Sequence, residues 1–187
     1  MKLRTKLLVL TSLSVMLTGL GVGAAEAASR YNTAGIYVQE QSNWCWVATS
    51  KTVLNHYNGS SPSQCQVYKW GKNSSSCPDG AGDFGIDVSG ALTRGGVGGI
   101  GQVVTHSIPF ATVQDEINVN RLVMVRWSWN SSPSATGHMV ILRGYNTTGS
   151  TVSYVNPLNS SYQSSSYSAM VGDGTHTWTH TRYLITA

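Results

Sequence analysis

The hydrophobic pattern changes period once along the chain, and that change limits the fold more than any other feature. From Cys45 to Tyr57 (CWVATSKTVLNHY), Trp46, Ala48 or Thr49, Val53, Leu54 and Tyr57 recur at helical spacing. Asn43 stands where a cap belongs, and Asn58-Gly59 stops the run. Residues 63–71 (SQCQVYKWG), 86–94 (IDVSGALTR) and 112–120 (TVQDEINVN, opening at Thr112) read as three further short helices. After residue 121 the runs become β-branched and aromatic: 122–129 (LVMVRWSW), 138–145 (HMVILRGY) and 151–156 (TVSYVN), then 166–172 and 176–185. Helices first and antiparallel strands second imply an α+β fold. Residues 72–83 and 159–168 read as loops. The run GGVGGIG (95–101) lacks the Lys-Ser/Thr ending and the preceding strand of a phosphate loop, and reads as a flexible connector.

At 41% apolar and 11% charged residues, the chain is too hydrophobic and too weakly charged to stay disordered, and 187 residues suffice for one domain with a sizeable core. Residues 1–27 stand apart. Lys2, Arg4 and Lys6 precede the uncharged, mostly apolar stretch from Leu7 to Val22, and Ala25-Glu26-Ala27 puts small residues where a signal peptidase reads them. The expectation is a secretory signal peptide over 1–27, a mature domain over 28–187, and secretion. Cleavage after Ala27 removes three of 12 basic and one of 8 acidic residues, leaving a net charge of +2. No Lys/Arg run remains to support a nucleic-acid partner, and no later apolar stretch is long enough to hold the mature chain in a membrane.

Export leads to a compartment where disulfides persist. The mature chain carries Cys45, Cys65 and Cys77, an odd number, so at least one is free or pairs between chains. Cys65 and Cys77 lie 12 apart across a polar stretch and are the candidate pair. The other two pairings use Cys45, whose surroundings differ. It opens the first helical run, where unpaired N–H groups and the helix dipole favour the thiolate that attacks carbonyl carbon. Gln39, upstream in the polar segment QEQSN, can aim its amide at the oxygen that turns negative during attack. His138 opens an apolar strand straight after a Ser/Pro/Thr/Gly loop, so its ring can face a cleft. Asn156-Pro157 ends the next strand. A hairpin joining 138–145 to 151–156 makes His138 and Asn156 neighbours, and Asn156 can then accept a hydrogen bond from the imidazole. His176 and His180 alternate with Trp178 on one strand; without a nearby carboxylate they make a poor metal site, and no metal or cofactor is expected.

Gln39 with NWCWVA (43–48), GHMVILRGY (137–145) and VNP (155–157) resembles the papain-like cysteine peptidases, nearest to the compact bacterial branch that includes domains processing double-glycine leader peptides. The segment CQVYKWGKNSSSC (65–77) is similar to one that follows the nucleophile helix there, and the resemblance spans roughly residues 36–185. It implies a helical N-terminal half carrying the nucleophile helix and an antiparallel C-terminal sheet. It assigns the nucleophile to Cys45, the base to His138, the orienting residue to Asn156 and the oxyanion donor to Gln39, with Gln41 second. A thiolate–imidazolium pair of Cys45 and His138 is the expected reactive form. Only 11 residues separate the expected cleavage point from Gln39, too few for an inhibitory pro-segment. The leading expectation is therefore a secreted, monomeric cysteine endopeptidase acting on protein or peptide substrates. An acyl transferase or amidase using the same groups is the second. A catalytically silent exported binding module is the third.

Overall fold

The computed structural model describes residues 28–132 and 137–187; the expected signal peptide, residues 1–27, lies outside them. Strand β1 (Ser29–Tyr31) comes first, then helices α1 (Cys45–Asn58), α2 (Gln64–Lys72) and α3 (Ile86–Arg94). Strand β2 (Gly99–Val104) and helix α4 (Phe110–Asn118) follow, then β3 (Val123–Trp129), β4 (Gly137–Asn146) and β5 (Thr151–Val155). Strand β6 (Gln163–Ser166), the short helix α5 (Tyr167–Val171) and β7 (His176–Thr186) close the chain. The strands form one antiparallel sheet in the order β2-β7-β3-β4-β5-β6, with β1 beside β4. This is the expected α+β, papain-like arrangement.

Both faces of the sheet are covered, which explains the nearly unbroken apolar runs in β3 and β4. Met124, Met139 and Ile141 pack against Trp46, Val53, Leu54, Val67 and Leu92 of α1–α3. Val123, Val125, Val140, Leu142 and Trp178 face Val113 and Ile117 of α4 and Met170 of α5. Alternate residues of one strand thus feed two cores.

Several local expectations change. Helix α1 starts after Trp44, which makes no side-chain cap; Asn43 instead donates its backbone N–H to Asp79 Oδ1 at 2.9 Å. Helix α4 starts at Phe110, directly after Pro109, because Phe110 is drawn in by Tyr145 and Tyr167, with ring centroids at 6.3 and 5.2 Å. The expected glycine connector becomes edge strand β2 from Gly99 onward, and Gly101 (φ +73°) sits where a side chain would strike the Tyr183 carbonyl. The expected loop 159–168 contains β6, and most of the expected strand 166–172 is α5, whose first turn is capped by Ser166 Oγ accepting from Ala169 N–H at 3.1 Å.

Cys65 and Cys77 are joined by a disulfide with their Cα atoms 5.3 Å apart. The bridge ties α2 to the loop that ends at Pro78-Asp79-Gly80. That loop holds the start of α1: the Pro78 carbonyl accepts from Trp44 Nε1 at 3.1 Å and the Gly80 carbonyl from Trp46 Nε1 at 3.0 Å. Gly82 lies flat on the Trp46 indole, leaving no room for a Cβ. Replacing Cys65 and Cys77 together by Ser should lower unfolding stability by about 2–4 kcal/mol in urea titration. A double variant as stable as the parent would show that the loop is held without the bridge.

Candidate active site

The start of α1 and the start of β4 meet around a cleft of about 330 Å³. Its lining includes Gln39, Cys45, Trp46, Gly82, Arg126, Trp129 and His138. Cys45 is the first residue of α1, free of any disulfide and half-buried at the cleft floor. The backbone N–H groups of Met139, Trp46 and Cys45 itself all bear on its sulfur. Two belong to the first turn of α1, where N–H groups have no partner within the helix. The third comes from β4, so strand and helix converge on one atom.

His138 is buried between aromatic walls. Trp129 stacks on it with centroids 6.0 Å apart and planes at 21°, and Trp127 lies at 6.0 Å on the neighbouring strand. Its Nε2 donates to Asn156 Oδ1 at 2.8 Å, and the same oxygen accepts Leu158 N–H at 3.0 Å across Pro157. The Leu158 amide can only donate, so the acceptor end of Asn156 is fixed. The proton therefore sits on Nε2, and Nδ1 is left as the basic nitrogen. The antiparallel pairing of β4 with β5, with Ile141 opposite Val155, carries Asn156 to the His138 end of the hairpin.

Electrostatics depart from the expected ion pair. Burial pushes the Cys45 thiol up from its usual value; the three backbone N–H groups and then the charge of Arg126 pull the other way without overcoming it. Burial likewise holds His138 below the ordinary imidazole range, opposed by the Asn156 hydrogen bond and reinforced by the nearby His176. Burial favours the neutral form of each group, because a charge there would lose its water.

Gln39 reaches the cleft in a different posture from the expected one. Its Nε2 donates to the carbonyls of Gln41 at 2.9 Å and Ser42 at 2.7 Å, while its Oε1 is buried without a partner among the described residues. Both amide protons are engaged within the loop. Its backbone N–H donates to the Pro157 carbonyl at 2.9 Å, which ties the Gln39 segment to the Asn156 turn. Gln41 is exposed.

Three contributors escaped the sequence reading. Gln64, buried on α2, clamps the Gln39 segment from both sides: its Oε1 accepts Glu40 N–H at 3.1 Å and its Nε2 donates to the Val38 carbonyl at 2.6 Å. Nothing in the local sequence separates it from any polar helix residue. Trp129 walls the cleft. Arg126 lines it too, and here a signal existed: one cation inside the apolar run VMVRWSW. His176 and His180 do not act together; His176 stacks on Trp127 at 4.1 Å, whereas His180 lies beside Phe84 and Arg126.

An antiparallel sheet with a helix aimed by its N-terminus at the end of a central strand, and a cysteine and a histidine facing one cleft, defines the cysteine-peptidase class of α+β proteins. Residues 31–185 match the Peptidase_C39 like family, and the chain belongs to that family. No curated protein matches the chain.

The Asn156 bond makes a pH prediction. It stabilises the charged imidazolium, so it raises the His138 pKa against the stronger downward effect of burial. Asn156→Ala should therefore move the His138 titration to still lower pH, read from its ring protons by NMR. A midpoint that stays put or rises would show that the bond does not favour the charged ring.

Proposed function

We propose that the protein is a secreted cysteine endopeptidase using Cys45 as nucleophile, His138 as base and acid, and Asn156 as the residue that orients the base. The observation that carries this reading is the shared cleft, lined both by a free cysteine at a helix N-terminus and by a histidine whose Nε2 is already committed to Asn156. Family membership supports a peptide or protein substrate. The disulfide, and the lack among the described residues of any helix long and apolar enough to cross a membrane, are compatible with export. In this reading cleavage after Ala27 releases residues 28–187 as one peptidase domain that works as a monomer.

The steps follow from the tautomer. As a peptide carbonyl enters, His138 Nδ1 takes the Cys45 proton and the sulfur attacks the carbonyl carbon. The oxygen becomes negative and accepts from the Cys45 backbone N–H. Gln39 joins as second donor by exchanging one of its two loop carbonyls for that oxygen. The C–N bond breaks as the imidazolium returns its proton to the leaving amine. Water, deprotonated by the same nitrogen, then hydrolyses the thioester and restores the thiol. The aromatic walls exclude other water from the imidazole.

Brief labelling with a limiting dose of an epoxide-type cysteine-protease inhibitor, followed by mass spectrometry, tests the pair. One adduct on Cys45, lost in His138→Ala, is expected; equal slow labelling of both proteins would move the binding-module reading to the front. On cleaved peptides Cys45→Ala should be inactive. Gln39→Ala should lose about 10²–10³ in kcat with KM little changed if its amide reaches the oxyanion. A Gln39→Ala variant of near-parental kcat would confine that side chain to holding the loop.

A further inference from the structure

Arg126 is held in an unusual way. Its Nη1 donates to Ser128 Oγ at 2.9 Å and Thr179 Oγ1 at 3.0 Å and lies 3.5 Å from His180 Nδ1, all neutral partners. Among the described residues no carboxylate oxygen comes within 4.0 Å of it. Asp83 shares an adjoining pocket of about 340 Å³ with Arg126 but accepts through Oδ1 from Gly85 and Ile86 N–H at 2.8 and 2.6 Å. His180 is neutral or cationic and so offers no counter-charge; burial and then Arg126 itself lower its pKa, which disfavours a second positive charge there.

The backbone is built to aim this side chain. On β3, Arg126 pairs with His180 and the next residue, Trp127, with Trp178, so Thr179 of β7 is an extra residue in the ladder. That bulge supplies the hydroxyl that grips Nη1. Gly137 covers the guanidinium from β4; a Cβ there would stand 3.1 Å from Arg126 Cζ and Nε. One nitrogen is thus fixed by three neutral groups. Among the described residues the Nε–Nη2 edge has no hydrogen-bond partner, and the Arg126 side chain lines the cleft that holds Cys45 and His138. That edge is the one a carboxylate takes side-on, through two parallel N–H···O bonds.

We propose that Arg126 is the specificity-determining residue of this cleft and takes a carboxylate of the substrate peptide. Two sources share that chemistry, an Asp or Glu side chain near the scissile bond and a free C-terminal carboxylate. The proposal rests on the peptidase reading above. A side chain of Asn or Gln has nearly the shape of Asp or Glu but offers one acceptor and no charge. A site of fixed, charged donors discriminates sharply against such a partner.

The test uses quenched fluorescent peptides in which Asp, Glu, Asn or Gln is moved through every position on either side of the cleaved bond, each with a free and an amidated C-terminus. Wild-type protein should cleave the acidic member about 10- to 100-fold better in kcat/KM than its amide at one position, or free-ended peptides better than amidated ones by as much. Arg126→Gln should erase that ratio, and Arg126→Glu should transfer the preference to Lys or Arg at the same position, which a purely structural role would not do. The wild-type comparison stands even if a variant fails to fold. Cys45-dependent cleavage with equal rates for acids and amides, whatever the C-terminus, would overturn the role of Arg126 and leave the peptidase intact. Cleavage of none of the peptides, or cleavage undiminished in Cys45→Ala, would overturn the peptidase reading and this one with it.

Discussion

Everything in the cleft depends on α1 keeping its first turn against the first residues of β4. The two segments lie far apart in the chain, and α1 supplies two of the three backbone N–H groups that bear on the Cys45 sulfur, β4 the third. Apolar packing fixes their axes: Val53 and Leu54 of α1 share a core with Met139 and Ile141 of β4. Packing of that kind is strong but unspecific in direction. Rotation about the helix axis is fixed by the two indole N–H bonds to the Pro78 and Gly80 carbonyls, on either side of Cys45. A buried indole donor left unpaired costs about 1–3 kcal/mol, so each bond penalises any helix turn that would swing the thiol away. The disulfide then ties the accepting loop to α2. Hydrophobic burial sets the distance, and polar bonds set the angle.

The same division explains what the sequence revealed. Periodicity reports which faces are apolar, so α1, β3, β4, β5 and β7 could be read with small errors at their ends. The hairpin of β4 and β5 followed from turn residues between two strand-like runs, and its geometry brings His138 to Asn156. Elements stabilised from outside themselves were misread. Strand β6 (QSSS) has no apolar alternation and exists because β5 offers it a ladder. Strand β2 is glycine-rich and is held at the sheet edge by β7. Helix α5 has five residues, too few to show a period. Gln39 shows a different limit: its place at the cleft was legible, whereas the direction of its amide depends on two loop carbonyls that no spacing encodes.

Burial creates a tension at the site. A dry cleft strengthens every dipole aimed at a developing charge, yet it makes the charged forms of Cys45 and His138 harder to reach. The fold answers with groups that need not reorganise: helix and strand N–H groups at the sulfur, and an Asn156 oxygen already anchored by Leu158.

Among the described residues three arginines lie within the fold without a carboxylate partner, Arg126, Arg143 and Arg182, and the contrast between Arg182 and Arg126 separates structure from recognition. Arg182 is 1% exposed. Its Nη1 donates to the Ile100 carbonyl, and its Nη2 bonds to the carbonyls of Phe84 and Gly85 and to Ser89 Oγ, so α3 and β2 enclose it. Burial lowers its pKa to about 10, still far above neutrality, and the charge stays in place as a clamp between β7 and the start of α3. Arg126 is one strand over, and among the described residues its side-chain bonds stop at one nitrogen. A buried cation left without a counter-charge is a standing cost unless something meets it. For Arg182 the meeting groups are carbonyl dipoles of its own chain. For Arg126 the protein supplies a bulge, two hydroxyls and a covering glycine, all of which orient the guanidinium and none of which neutralises it. A charge so held, in the cleft that also holds Cys45, accords with the proposal that its anion arrives with the substrate.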